Sequence, residues 1–121
     1  MSETYTSTAR VKTDRPGRYG KQLASHFGKK ISANWDADSD RGHLTFPSPD
    51  GPDLPSTTCD MIAGDGVLML SIDGASDAVE RLERVVAVHL IRFGAKDELE
   101  VEWTRSGGQG SARFTSADLE K

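Results

Sequence analysis

VLMLSIDGASDAVERLERVVAVHLIRFGAKDELEVEW, residues 67–103, reads as strand, helix, strand. Val67–Asp73 is apolar and β-prone, and Asp65-Gly66 before it is a hairpin turn leading back to TCDMIAG, residues 58–64. From Ser76 onward the apolar period lengthens to that of a helix. Val79, Leu82, Val85, Val86, His89, Leu90 and Phe93 fall on one stripe. Ser76 or Asp77 suits the N-cap, and Asp77 with Glu80 has capping-box spacing. Asp77–Arg81 and Glu80–Arg84 are i,i+4 pairs on the outer face, and Gly94 closes the helix. The stretch from Glu98 to Trp103 then alternates, with Leu99, Val101 and Trp103 on one side and three acids on the other.

The N-terminal third repeats this plan. Residues 6–13, TSTARVKT, alternate as a strand. A helix follows from Asp14 or Arg15 at its cap, with Pro16 in the first turn and Gly28 suited to the C′ position. Tyr19, Leu23, His26 and Phe27 share one face, while Gly17 and Gly20 weaken the helix by about 1 kcal/mol each relative to alanine. ISANW is the next strand, DADSDRG a turn and HLTFP a further strand. Both helices end in Phe-Gly, and each leads into a strand that carries a tryptophan, Trp35 or Trp103. Core positions suit both indoles better than pocket walls. The echo fits either a degenerate duplication or two solutions to one packing problem.

The resulting order, β-α-β-β-β-β-α-β, predicts an α+β fold of two layers, with two helices on one face of a mostly antiparallel sheet. It is similar to the TATA-binding-protein-like topology with one further strand, a likeness of arrangement and not of function. Residues 1–105 form the single domain, with a Pro-rich loop at 47–56. Residues 106–121, SGGQGSARFTSADLEK, read as a flexible C-terminal tail.

The 121 residues suffice for one core, with 36% hydrophobic and 28% charged. No apolar run is long enough to span a bilayer, MSETYTSTAR has no apolar leader segment, and Cys59 has no second cysteine to pair with. These features predict a cytoplasmic protein without membrane association. The net charge of −4 hides an asymmetry: residues 1–30 carry seven Lys/Arg against Glu3 and Asp14. An acidic overall balance, the acids of 98–102 and the lack of a basic aromatic stripe argue against nucleic acid.

Two groups of residues suggest binding chemistry. His26 and His89 each lie on an apolar helix stripe near the C-terminal end, so helices lying side by side bring the imidazoles together. Cys59 and Asp60 open a neighbouring strand, and the four make a possible metal set of N, S and O donors. No CxxC, HxxxH or HExxH spacing supports it. The competing reading is two histidines bonded to backbone carbonyls near an inert thiol. Arg15, Arg18 and Lys21 stand near the start of the first helix, where free N–H groups favour a carboxylate or phosphate; ordinary solvated charge is the alternative. No Walker loop, dinucleotide-binding glycine pattern or nucleophile elbow is present.

TSTARVKTDRPGRYGKQLASHFGKK at 6–30, the Cys59-Asp60 pair and HLxRFGxxDELxVEW at 89–103 resemble the bacterial DUF2218 family over about residues 4–105. The loop at 47–56 is longer than that family's pattern, and the chain after Arg105 lies outside it. Members are small cytosolic proteins with no assigned activity. The resemblance implies a role linked to iron uptake and siderophore use, and it favours a metal, haem or iron-chelate at His26, Cys59 and His89. A non-catalytic binding module is the leading expectation. An auxiliary enzyme of iron release using Cys59 or a histidine is the second. A protein-interaction module, acting as a homodimer or with a partner, is the third.

Overall fold

The computed structural model describes residues 4–47, 56–94, 99–106 and 110–115. Its elements run β1 (Thr4–Lys12), α1 (Pro16–Phe27), β2 (Ser32–Asp36), β3 (Arg41–Phe46), β4 (Thr57–Gly64), β5 (Val67–Ala75), α2 (Ser76–Phe93), β6 (Val101–Arg105) and β7 (Ser111–Phe114). Among the described residues, seven strands make one sheet in the order β2-β3-β4-β5-β1-β6-β7. Every neighbouring pair is antiparallel. Both helices lie on one face: α1 covers β2 to β5, and α2 covers β5, β1, β6 and β7. The two-layer α+β architecture read from the sequence is the one observed.

Strand alternation decides which face the helices cover. Ala9 and Val11, Leu44, Cys59 and Met61, Leu68, Leu70 and Ile72, Val101 and Trp103 all turn inward and are buried. Leu23, Phe27, Val79, Val86 and Leu90 of the helices meet them. The opposite face is more polar, though Ile62, Val67 and Met69 also lie on it. His43, Asp60, Ser71 and Thr8 stand opposite one another in successive register across β3, β4, β5 and β1.

Both helices end on the expected glycine. The Gly28 N–H donates to the Ala24 carbonyl at 2.8 Å and the Gly94 N–H to the Leu90 carbonyl at 3.0 Å. Gly28 stays in the right-handed region, so it closes the turn without the left-handed conformation of many such caps. Gly20 has a packing role that propensity conceals: a Cβ there would stand 2.4 Å from the Trp35 ring, and one at Gly42 would stand 2.5 Å from the same indole. Trp35 is thus packed between α1 and its cross-strand neighbour on β3. Gly66 supplies the positive φ of the β4–β5 hairpin.

Four expectations change. The N-cap of α2 is Ala75, with no side-chain cap bond, in place of the expected Ser76 or Asp77. The tail read over 106–121 contains a strand: Ser111–Phe114 pairs with β6, with Val101 opposite Phe114 and Trp103 opposite Ala112. Gly110, at φ 104°, makes the reversal. The turn read over DADSDRG is shorter, because Arg41 and Gly42 already belong to β3. The buried face of α2 is rotated from the expected stripe. Glu83, Ala87 and Ile91 are buried, whereas Val85, His89 and Phe93 are only partly covered. Most of the loop at 47–56 (residues 48–55), the side chains of Ser76 and Asp77, and residues 107–109 and 116–121 lie outside the described residues. No described helix is long and apolar enough to cross a membrane.

Candidate functional site

Arg18, Gln22, Ser25 and Lys29 recur along one exposed side of α1 and its C-terminal extension, with Lys21 and His26 beside them. The C-terminal end of α2 brings Phe93 against this side. Together these residues line a wide-open surface groove. None of its described lining residues is acidic. Arg15 lies elsewhere. It is the N-cap residue and lines a separate depression with Arg10, Lys12, Asp14 and Asp65. The anion set of Arg15, Arg18 and Lys21 is therefore split, and Arg18 and Lys21 join His26 instead.

His26 and His89 do meet, with ring centroids 4.8 Å apart. His26 packs edge-on to Phe27 at 5.3 Å and to Phe93 at 5.6 Å. The His89 Nδ1–H donates to the Val85 carbonyl at 2.7 Å, an arrangement that leaves Nε2 as the basic nitrogen. Desolvation of its ring, then the neighbouring His89, Lys29 and Lys30, pull the His26 imidazole below its ordinary value.

Cys59 and Asp60 do not join the pair. They are consecutive on a strand, so they face opposite ways. Cys59 points into the core and is fully buried. Burial first, and the adjacent Asp60 carboxylate second, push its thiol up to about 12. Such a thiol stays protonated at neutral pH and is a poor ligand and nucleophile. Asp60 is on the open face of the sheet, 2.5 Å from Nδ1 of His43. The expected four-residue metal set is not assembled, and no group of three or more His, Cys, Asp or Glu among the described residues is placed to hold a metal.

Two further polar clusters join residues that the sequence reading did not pair, Asp60 of the expected metal set among them. His43 and Asp60 are register partners on β3 and β4, a pairing that single-strand periodicity does not reveal. Glu83 is fully buried in α2. It accepts from Ser7 Oγ at 2.6 Å and from Arg105 Nε and Nη2 at 3.1 and 2.6 Å. The Trp103 indole N–H donates to the Glu83 carbonyl at 3.1 Å. This second cluster ties α2 to β1 and β6.

The family model described as "Uncharacterized protein conserved in bacteria (DUF2218)" matches residues 8–104. Among solved structures, the NMR structure of PA4090 from Pseudomonas aeruginosa is similar, with a TM-score of 0.63 and 25% identity over 83% of this chain and 95% of that one. No curated protein matches.

Proposed function

The chain belongs to the DUF2218 family of bacterial proteins, and on that premise we propose that it is a non-catalytic binding module for an anionic ligand, in the first instance an iron chelate. One observation carries the reading: Arg18, Lys21, His26 and Lys29 line one groove, beside the imidazole of His89. The cations attract the anionic arms of a chelate. The two imidazoles are too few donors to hold a bare ion tightly. A chelate brings its own donors, so one imidazole suffices to fill a vacant position on its metal. The bond from His89 Nδ1–H to Val85 orients that ring against His26, the imidazole that lines the groove. The alternative of an enzyme using Cys59 is disfavoured by a buried, protonated thiol.

The test is an NMR titration of the three imidazoles with gallium(III) citrate, a diamagnetic stand-in for a ferric chelate. His26 and His89 are expected to shift together and saturate, while His43, on the far face, stays still. Arg18→Ala is expected to weaken binding about fivefold, since a unit-charge contact at 4 Å in water is worth about 1 kcal/mol. Equal, unsaturated shifts of all three histidines would refute the reading.

A further inference from the structure

The groove has a second property that charge alone does not explain: two of its lining side chains, His26 and Phe93, are rings backed by an aromatic cluster. His26 contacts Phe27, His89 and Phe93, and Phe27 in turn contacts His89 at 5.0 Å and Phe46 at 5.5 Å. Two rings of this cluster reach the groove. His26 is exposed, Phe93 is only partly buried, and both line it between Arg18, Lys21 and Lys29. An aliphatic polyanion would engage the cations and leave both ring surfaces wet. It would also compete poorly with salt, because exposed ion pairs are individually weak. The His26 and Phe93 planes cross at 72°, so a flat aromatic ring stacked on one meets the other edge-on, and its substituents are left to reach the cations. Ring contacts of this kind add about 0.5–1.5 kcal/mol beyond area burial.

Resting on the anion-binding reading above, we infer that the groove selects planar aromatic acids, ligands whose two or three ionised groups are carried on an aromatic ring. The site then has a division of labour. The cations attract the ligand, and the rings discriminate among anions of equal charge. The openness of the groove suits a plate-shaped ligand, which needs no enclosing wall on its outer side.

The experiment compares trimesate with its ring-saturated analogue. Both carry the same three carboxylates on a six-membered ring, and only one ring is aromatic. Binding is followed at the His26 and Phe93 resonances at constant ionic strength and neutral pH. Trimesate is expected to bind about fivefold tighter, the discrimination that one ring contact supplies. Phe93→Leu is expected to remove most of that advantage, and amide resonances of the sheet residues, away from the groove, report that the variant is folded. Equal affinities for the two compounds, both bound in the groove, would overturn the aromatic selectivity and leave the anion site standing. Binding of neither would overturn the anion reading and this inference with it.

Discussion

Glu83 shows what a single residue hides when read along the chain. In ERLER, residues 80–84, it looks like Glu80, an outward acid on a charged helix. The structure buries it completely and surrounds its carboxylate with the Ser7 hydroxyl and a two-pronged contact from Arg105. Ser7 and Arg105 stand opposite each other on β1 and β6, so the network depends on a pairing far apart in sequence. Its value lies in completeness: a buried carboxylate is tolerated when its acceptor sites are filled. Glu83→Ala removes the two-pronged acceptor of the Arg105 guanidinium, which keeps Glu80 at 3.7 Å. The expected loss is about 3 kcal/mol, at the lower end for breaking a buried pair, measured by urea unfolding. A loss below about 1 kcal/mol would give the pair the weight of a surface contact. His26 and His89 were legible for the opposite reason, because each reports its position through helical spacing alone. Cys59 and Asp60 misled because adjacency on a strand means opposite faces.

At the scale of elements, both helices and the first six strands were legible from periodicity and glycine punctuation. β7 was not. Four residues among glycines and serines carry too little pattern to separate a strand from a tail. What holds it is visible only in the register, where Ala112 and Phe114 continue the inner face of β6 and pack on the core. The Arg113–Glu100 bridge, at 2.9 Å, is more than half exposed on both sides and contributes little. Phe114→Ser is therefore expected to cost about 1 kcal/mol in thermal or denaturant unfolding, from apolar area returned to water. Arg113→Ala should stay within about 0.5 kcal/mol. If the arginine change costs more than the phenylalanine change, the strand is held by charge. The rotated face of α2 has a related cause. Its stripe was drawn for a helix resting on a flat apolar surface, whereas the observed helix also accommodates Glu83 and lies against α1.

For the whole molecule, the relevant quantity is charge. The chain is net −4, yet α1 itself contains no acid, and Lys29 and Lys30 follow it. His26 titrates in that field. Its folded value lies below the ordinary 6.5, through desolvation first and then His89, Lys29 and Lys30. The unfolded chain thus takes up a proton at a pH where the folded one does not. The stabilising contribution is present above about 6.5 and is lost as pH falls through the lowered folded value. Stability measured from about pH 7 to about pH 5 should fall less steeply in His26→Gln than in the parent; an unchanged slope would remove His26 from the acid limb. A bound anion opposes the same field, so it should raise the His26 value and bind more tightly as pH drops.

The position of β1 bears on how the chain acquires its form during synthesis. The first strand of this sheet in chain order is an interior one. Its ladders are with β5, where Lys12 meets Val67, and with β6, where Ser7 meets Arg105. Until the chain has grown past residue 75 the emerging β1 has neither flank, and until about residue 105 it has only one. Loop closures of that span are slow, and they leave both backbone edges of a strand unpaired meanwhile. Arg10 and Lys12 alternate on its outer side, both exposed, and charge of one sign in that position disfavours pairing of like strands.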